Sequence, residues 1–310
     1  MKILVTGCFG FIGSNLITHL LNAGHNVVGF DNLANCSIDP TDRIKQQSGQ
    51  NWQNFKFYKC DIRNYEQMLS FAINDKPDHI IHLAALGSVP RSFQDPALVS
   101  SVNVTGFINV MTLAKALEVK RVVFASSSSV YGSAQGPRTE DNIGLPLSPY
   151  ALSKQTNELF AGLWGQEFVG LRFFNVYGPG QLVDSPYSAV IPRFINGKEI
   201  VIYGDGETVR DFTYVDDVCE AIELALTTDS KNEIFNVCTG HGTSLKQLAL
   251  LCKGKREVKH IESRPGDIKE SIGIPFKAEV FLKFKAVTGI EEGIEKTIKY
   301  YEGLRGIHSL

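Results

Sequence analysis

The sequence lacks the features that define several broad classes of protein. Its formal net charge is −2 over 310 residues, so no overall basic field favours nucleic-acid binding, and an anionic ligand would need local arginines. The amino-terminal MKILVTG does not have the pattern of a secretory signal peptide, and no apolar stretch of about 18 residues is evident to span a membrane. We therefore expect a cytoplasmic protein with no nucleic-acid or membrane partner.

Cysteine is present, but without the spacing of a metal site or a disulfide framework. The six cysteines form no CxxC motif and show no paired spacing; they are Cys8, Cys36, Cys60, Cys219, Cys238 and Cys252. Such a set is typical of reduced thiols in a cytosolic protein. We expect no metal site, and no internal repeat or low-complexity linker divides the sequence.

Short apolar strands and helical stretches alternate over the first 175 residues. Strands are predicted at residues 2–6, 26–30, 55–58, 79–83, 121–125 and 169–173. Strands that are apolar on both faces and separated by helices are typical of a parallel sheet with both faces covered. The predicted fold class is α/β, a Rossmann doubly wound parallel sheet that binds its ligands outside the carboxyl ends of the strands.

The composition changes after residue 175. Glycine, proline and serine cluster in VYGPGQLVDSPYSAVIP, and the segments that follow are short and mixed. We expect residues 1–175 to form the Rossmann domain and residues 176–310 to form a smaller α/β lobe over the mouth of the sheet. Some later elements, at about residues 205–235, are expected to return to the first domain.

A glycine-rich turn joins the first strand to the first helix. Gly7, Gly10 and Gly13 let the backbone approach a pyrophosphate, and the helix amino terminus offers amide donors and a positive dipole. Asp31, at the end of the second strand, is placed to accept hydrogen bonds from an adenosine ribose and would repel a 2′-phosphate. Together these features predict NAD rather than NADP, so residues 1–175 are expected to form an NAD-binding domain.

A tyrosine and a lysine lie one helical turn apart in the run SPYALSK. Tyr150 and Lys154 therefore share a helix face. A nearby ammonium and the positive nicotinamide of bound NAD both favour the phenolate, so we expect the pKa of Tyr150 to fall toward the working pH. A serine of the run at 126–129, after the fifth strand, can bridge the phenol and a substrate hydroxyl. The set predicts hydride transfer to or from an alcohol carbon.

Two helical segments, at residues 104–117 and 152–164, are apolar over a wider arc than one packing face requires. One face of each is expected to meet the sheet. The excess predicts a homodimer formed through these helices. The alternative is that other parts of the same chain cover them.

Longer motifs extend over nearly the whole chain. They are GCFGFIG, DNLAN, HLAAL, SSSSVYG, SPYALSK, RFFNVYGPG, GDGETVRDF and RPGD. With these motifs the sequence resembles the extended short-chain dehydrogenase/reductase family, and within it the sugar-nucleotide 4-epimerases. The segments AALGSVPRS and PYSAVIPRF are most similar to the bacterial subgroup that acts on UDP-N-acetylglucosamine and UDP-N-acetylgalactosamine.

The resemblance implies an NAD-dependent 4-epimerase of UDP-sugars. Its 4-keto intermediate would rotate in the site, so that hydride returns to the other face of the sugar. The implied catalytic residues are Ser127, Tyr150 and Lys154, with Tyr150 as the base for the C4 hydroxyl. The implied cofactor contacts are Gly7, Phe9, Gly10, Phe11, Ile12, Gly13, Asp31, Asn32, Asn35, Asp61, Ile62, Leu83, Ala84, Ala85, Tyr150 and Lys154.

The resemblance also implies contacts to the UDP-sugar. Arg210 and Arg264 would clamp the phosphates, since guanidinium groups suit such oxygens, and Asp267 would bind the uridine ribose. Ser271 stands where epimerases restricted to plain hexoses have a bulky residue, so it would leave room for an N-acetyl group. The implied set is Gly87, Ser88, Ser127, Ser128, Ser129, Tyr150, Asn175, Gln181, Ala189, Val190, Tyr203, Arg210, Arg264, Asp267 and Ser271.

Two other functions compete with this interpretation. A sugar-nucleotide 4,6-dehydratase, or a UDP-glucuronate decarboxylase or epimerase, belongs to the same family. Lyases of this kind place carboxylates where this chain has Ser128 and Ser129, so elimination would have no evident acid. A non-catalytic NAD-binding sensor would not need Ser127, Tyr150 and Lys154 together. Among epimerase substrates, UDP-glucose, UDP-galactose and the hexuronic acids stay open.

Overall fold

The computed structural model describes residues 1–36, 39–181, 189–254, 256–262 and 269–307. The strands in this part of the chain are β1 (Lys2–Thr6), β2 (Asn26–Asp31), β3 (Phe55–Lys59), β4 (His79–His82), β5 (Arg121–Ser127), β6 (Phe168–Phe173), β7 (Asn175–Tyr177), β8 (Ile200–Tyr203), β9 (Val209–Tyr214), β10 (Glu233–Val237), β11 (Gly242–Ser244), β12 (Val258–Ile261) and β13 (Glu270–Ser271).

The α-helices are α1 (Phe11–Asn22), α2 (Thr41–Ser48), α3 (Tyr65–Asp75), α4 (Val89–Gln94), α5 (Pro96–Ser100), α6 (Gly106–Ala116), α7 (Pro149–Trp164), α8 (Val190–Asn196), α9 (Val215–Thr227), α10 (Leu245–Lys253) and α11 (Ile290–Ile307). Short 3₁₀ turns lie at Gly49–Asn54 and Ser128–Tyr131, and π turns at Ser101–Thr105 and Ala278–Leu282.

The large sheet has its strands in the order β10-β6-β5-β4-β1-β2-β3, and all neighbours are parallel. This confirms the predicted doubly wound α/β fold. Successive residues of β1 face opposite sides: Ile3 and Val5 join the core beneath α1 and α9, and Leu4 joins the core beneath α6. The strand order reverses between β1 and β4, and folds of this kind bind ligands at such a switch point.

Two elements from the second half of the chain pack onto the large sheet. β10 pairs with β6 as an edge strand, and α9 packs against α1. The imidazole Nε2 of His19 on α1 lies 2.5 Å from a carboxylate oxygen of Glu223 on α9, which ties the two helices together. The atoms of His19, Glu220 and Glu223 that could bind a metal lie within 4.8 Å of one another. The expectation that the protein has no metal site stays a prediction. The domain division at residue 175 also stays a prediction.

The remaining strands form smaller sheets. β9 lies between β11, which is antiparallel to it, and β13, which is parallel, and β7 also pairs with β9. β8 and β12 form a separate parallel pair. Because β7 follows β6 after a single residue, this second sheet begins at the carboxyl edge of the large one. The small sheets are therefore placed over the end of the large sheet at which ligands are expected.

One helical segment is long and apolar enough to cross a membrane by length and composition alone. Pro96–Ala116, formed by α5, a π turn and α6, has 21 residues and contains an 18-residue window with a mean hydropathy of 1.5. It packs against α7, β4 and β5, and 44% of its apolar window is buried. Asn103 inside it is buried and hydrogen-bonded to the backbone of Leu86. These contacts are those of a helix in a protein core.

The two wide apolar helices differ in how the chain covers them. On α6, Phe107, Val110, Met111 and Leu113 are all fully buried within the chain. On α7, Leu152, Leu159 and Leu163 are 53%, 72% and 87% exposed. Tertiary packing therefore covers these four apolar side chains of α6 and leaves the three leucines of α7 largely exposed to solvent.

Candidate active site

The turn between β1 and α1 packs as tightly as it does only because its glycines lack side chains. Gly7 has a φ of +71°, and a Cβ there would lie 2.7 Å from the backbone nitrogen of Ala84. A Cβ on Gly13 would lie 2.0 Å from the carbonyl oxygen of Gly7. Gly10 caps α1, whose first turn has no acidic residue. The amide groups and dipole at this helix end suit a pyrophosphate, so the turn fits the phosphates of NAD.

Asp31 ends β2 directly beside this turn. Its carboxylate accepts hydrogen bonds from the backbone amides of Phe9, at 3.0 Å, and of Leu33, at 2.8 Å. Each carboxylate oxygen can accept a further bond. The geometry therefore holds a carboxylate at the edge of the glycine turn, where a ribose hydroxyl would donate to it.

The other adenosine contacts implied by the sequence lie around the same edge. Asp61 accepts hydrogen bonds from Asn32, at 3.0 Å, and from Arg63, whose side chain lowers the pKa of Asp61 well below its usual range. Ile62 is buried against Gly106. Asn35 accepts a bond of 3.2 Å from an arginine of α4. Asn64, and not Asp61, caps α3, so Asp61 is free of the helix-capping role.

The end of β4 is held by buried polar contacts. The hydroxyl of Thr6 lies 2.8 Å from Nδ1 of His82 and accepts a bond of 3.3 Å from the amide of Ala84. Burial lowers the pKa of His82 to about 3, so this imidazole is neutral at physiological pH. The half-buried segment Leu83, Ala84 and Ala85 passes the glycine turn at this point. Thr6 and His82 were missed at the sequence level, although both end strands that flank the switch point.

Ser127, Tyr150 and Lys154 come together at the carboxyl end of β5. β5 is two residues longer than predicted, because Ser126 and Ser127 pair with β6; the serine run therefore does not begin as a flexible turn. Ser127 accepts a bond of 3.1 Å from the amide of Ser129 and is hydrogen-bonded to the Tyr150 phenol. Lys154 donates to the carbonyl of Ala125 at 2.7 Å.

Burial shifts the pKa values of Tyr150 and Lys154 in opposite directions. In the protein itself, burial raises the pKa of Tyr150, and the hydrogen bond from Ser127 offsets only part of this effect. The fall in the phenol pKa was expected with NAD bound, so it stays a prediction for the NAD-bound protein. Burial also lowers the pKa of Lys154 to about 8, against the opposing effect of Glu158. The Lys154 ammonium is thus lost as the pH rises through about 8.

A cleft of about 280 Å³ lies within the second lobe and is lined by residues of β7, α8, β8 and β9. Its lining includes six of the residues that were expected to contact the UDP-sugar: Asn175, Gln181, Ala189, Val190, Tyr203 and Arg210. Asn175 begins β7 and donates to the carbonyl of Asp211 at 3.0 Å. These residues come from five separate segments, so the fold brings them together.

The other expected substrate contacts lie around this cleft or outside the described residues. Ser271 on β13 pairs directly with Arg210 on β9 and is half-buried. Gly87 is exposed, and Ser88 caps α4. Ser128 and Ser129 begin the 3₁₀ turn after β5. Arg264 and Asp267 lie outside the residues that the structure describes.

Arg193 and Phe194 also line the cleft and were not singled out in the sequence. Both belong to α8, four and five residues after Ala189. The segment AVIPRF includes both of them, so the signal that could have found them was the helical continuation of a motif already noted.

Burial also decides the chemistry of the cysteine in the glycine turn. The pKa of Cys8 lies well above its ordinary value, mainly because burial penalises the thiolate and Asp31 adds to the effect. All six cysteines are free thiols. Cys8 is therefore a packing residue rather than a nucleophile.

Comparison with known proteins identifies the kind of enzyme that this site belongs to. A model of the NAD dependent epimerase/dehydratase family matches residues 3–238. The chain belongs to this family. Its cofactor is NAD, which fits the glycine turn and the position of Asp31. The resemblance to the extended short-chain dehydrogenase/reductase family is confirmed.

Solved structures of this NAD dependent epimerase/dehydratase family share the whole fold. UDP-glucose 4-epimerase of Thermotoga maritima with UDP-glucose has a TM-score of 0.87 at 33% identity, covering 98% of this chain and 100% of that one. UDP-N-acetylglucosamine 4-epimerase of Methanobrevibacter ruminantium with UDP-N-acetylmuramic acid has 0.87 at 34%, covering 98% of each. UDP-glucuronic acid 4-epimerase of Bacillus cereus with UDP-glucuronic acid and NAD has 0.85 at 31%, covering 98% and 100%.

These likenesses place the chain among the UDP-sugar 4-epimerases of the NAD dependent epimerase/dehydratase family. They do not separate one sugar from another, because enzymes for three different sugars match at 33%, 34% and 31% identity. The substrate must therefore be argued from the residues of this chain.

Proposed function

We propose that this protein interconverts UDP-N-acetylglucosamine and UDP-N-acetylgalactosamine by inverting C4, and that it also takes UDP-glucose and UDP-galactose. The observation that carries the reaction type is the meeting of Ser127, Tyr150 and Lys154 at the end of β5, beside the glycine turn. The small side chain of Ser271, paired with Arg210 at the cleft, supports the N-acetylated sugars.

Each residue of the trio has a separate task. The phenolate of Tyr150 takes the proton from the C4 hydroxyl and returns it after inversion. Ser127 holds both oxygens through its hydroxyl, and the Lys154 ammonium favours the phenolate and binds the nicotinamide ribose. NAD held by the glycine turn and Asp31 would supply the acceptor and donor of the C4 hydride. Arg210, Arg264 and Asn175 hold the diphosphate while the 4-keto sugar rotates.

The test is proton NMR of the purified protein with UDP-N-acetylglucosamine, UDP-N-acetylgalactosamine, UDP-glucose and UDP-glucuronic acid in turn, without added NAD. We expect the first two to interconvert, with slower turnover of UDP-glucose and none of UDP-glucuronic acid. Turnover without added cofactor would show that NAD is retained through purification. Solvent deuterium at C5 of the product would instead indicate a lyase, and NAD binding without turnover of any sugar would indicate a sensor.

The substrate assignment is tested by Ser271→Tyr, which fills the space proposed for the N-acetyl group. We expect kcat/KM for UDP-N-acetylglucosamine to fall by at least about 10- to 200-fold, since a single methylene in a pocket already has that effect and tyrosine adds a whole ring. UDP-glucose should be affected little. Ser70→Tyr, at an exposed position of α3, is the control and should change neither substrate. An equal loss for both sugars would contradict the role of Ser271.

We also propose that the protein is a homodimer that uses the exposed face of α7. Leu159 and Leu163 lie one turn apart on that face and are 72% and 87% exposed, with Leu152 further along it. Phe93, 62% exposed, lies on α4, which packs against α7. Apolar side chains grouped in this way are typical of protein interfaces.

The dimer is tested by Leu159→Glu combined with Leu163→Glu. We expect light scattering at micromolar concentration to give a dimer mass for the wild type and a monomer mass for the variant, since two carboxylates would be desolvated at the interface. Leu250→Glu on α10, where Leu250 is 70% exposed, is the control and should stay dimeric. A monomeric wild type would refute the proposal.

A further inference from the structure

A buried ion pair lies on the same helix face as the catalytic tyrosine and lysine. Tyr150, Lys154 and Glu158 follow at intervals of four residues on α7. The carboxylate of Glu158 accepts bonds of 2.9 Å from both Nε and Nη2 of Arg172 on β6. The two side chains are only 8% and 2% exposed. This is a nearly buried bidentate pair, one helical turn beyond Lys154.

The same carboxylate is hydrogen-bonded to the strand that carries the catalytic serine. Ser126 donates to Glu158 at 2.5 Å. Ser126 directly precedes Ser127 and pairs with Arg172 in the sheet. Glu158 therefore joins α7, β5 and β6 at the point where β5 presents Ser127.

The guanidinium of Arg172 is fixed by further contacts. It donates to the carbonyl of Glu140 at 2.7 Å and to the hydroxyl of Tyr131 at 3.1 Å, and it lies 5.0 Å from the centre of the Tyr131 ring. Tyr131 in turn donates to Asn236 on β10 at 2.5 Å. Because Arg172 is held from several sides, it is a rigid partner for Glu158 and not a mobile counterion.

We propose that Glu158 is a positioning residue, whose buried carboxylate holds the Ser127 end of β5 and the Lys154 ammonium in place for catalysis. This proposal rests on the proposed function for its link to epimerisation. Nothing in the reaction requires Glu158 to touch the sugar or NAD. Its effect passes through Ser126 and Lys154.

The charges around Lys154 explain why a carboxylate is needed at this position. Burial lowers the pKa of Lys154, and Glu158 raises it. His82 on β4 is neutral, so it supplies no negative charge that would stabilise the Lys154 ammonium. Across the described part of the chain, the other titratable groups near Lys154 or on elements packed against α7 are His79, Arg91, Lys115, Arg121, Tyr131, Glu140, Tyr150 and Arg172.

Glu140 is the one carboxylate in that set, and it cannot replace Glu158. Glu140 is engaged by the backbone amide of Asn236 at 2.8 Å. Arg121 pairs with Glu167 at the opposite end of β5, and Lys115 lies over the ring of Trp164 at the end of α7. Replacing the Glu158 carboxylate with an amide would therefore leave Lys154 in a buried site without its anionic neighbour.

The proposal is tested with Glu158→Gln. We expect the pKa of Lys154 to fall by about 1 unit or more, as it does when an opposite charge is removed from a buried group. Protein labelled with ¹³C-lysine, with Lys154→Met to identify the signal, reports this titration by NMR without any need for activity. In epimerisation assays, the decline of kcat at high pH should move to lower pH by a similar amount, with little change in KM for the UDP-sugar.

Glu158→Gln also leaves Arg172 buried without its partner, which destabilises a fold. Glu158→Gln combined with Arg172→Gln removes both charges and should recover much of the thermal stability. The Lys154 titration and the pH profile should stay shifted in this double variant. If the double variant regained the wild-type Lys154 titration and pH profile together with its stability, the ion pair would be purely structural. That result would overturn the proposal.

The two proposals fail separately. A wild-type protein that converts no UDP-sugar would refute the proposed function, while the Lys154 titration would still decide the role of Glu158. An active wild type, with the same Lys154 pKa in Glu158→Gln as in the wild type, would refute the positioning role alone.

Discussion

Tyr150→Phe is expected to lower kcat for epimerisation by about 10²- to 10⁴-fold, the usual contribution of a general acid–base group. The phenol hydroxyl is hydrogen-bonded to Ser127 and lies on the same helix face as Lys154. Phenylalanine keeps the ring and its packing but cannot take a proton from the C4 hydroxyl. The loss should therefore appear in kcat and not in the folding of the protein, and NMR of the sugar product measures it directly.

NAD should stay bound to Tyr150→Phe, because the glycine turn and Asp31 do not depend on the phenol oxygen. The nucleotide released on denaturation, measured by its absorbance, checks this point. Tyr58→Phe is the matched control. Tyr58 lies on β3, away from the trio, and its hydroxyl donates a hydrogen bond of 2.9 Å to Asp75. Its removal should leave kcat unchanged. Full activity in Tyr150→Phe would remove Tyr150 from the mechanism.

Gly13→Ala is expected to abolish retention of NAD and to destabilise the fold by about 1–3 kcal/mol, the usual cost of overpacking. A Cβ at Gly13 would lie 2.0 Å from the carbonyl oxygen of Gly7 and 2.9 Å from Cα of Cys8. Both are backbone atoms, so no side-chain rotation relieves the contact. The amino terminus of α1 would have to move away from the turn that is proposed to hold the phosphates.

Gly303→Ala makes the same chemical change where there is room for it. Gly303 is an exposed residue of α11, and a Cβ there meets nothing within 4 Å. This control should be neutral or stabilise the protein by up to about 1 kcal/mol, since alanine is the better helix former. Thermal unfolding and the NAD content of the purified proteins measure both effects. A Gly13→Ala protein with full NAD content would contradict the proposed role of the turn.

The parts of the site that could be predicted depend on short segments of chain. Gly7 and Gly13 were recognisable because a turn between a strand and a helix that meets a phosphate excludes side chains locally. Tyr150 and Lys154 share a face simply because they are four residues apart on a helix. Asp31 followed from the position at which the second strand ends. In each case the constraint spans no more than one βαβ unit.

Other features required the packed structure. Ser126 and Ser127 belong to a strand because they pair with β6, more than 40 residues away. Arg172 reads as an ordinary residue of an apolar strand, and only the approach of α7 pairs it with Glu158. The apolar run through α5 and α6 escaped notice because polar residues such as Asn103 interrupt it.

The sequence by itself determined that this chain forms a doubly wound parallel sheet with an NAD turn and a Tyr–Lys pair, because strand alternation, glycine placement and helical spacing are local properties. Only the tertiary structure decided the charge states of that pair. Burial raises the pKa of Tyr150 and lowers that of Lys154 to about 8. The reason is that desolvation depends on every element packed around a group, and distant segments supply those elements.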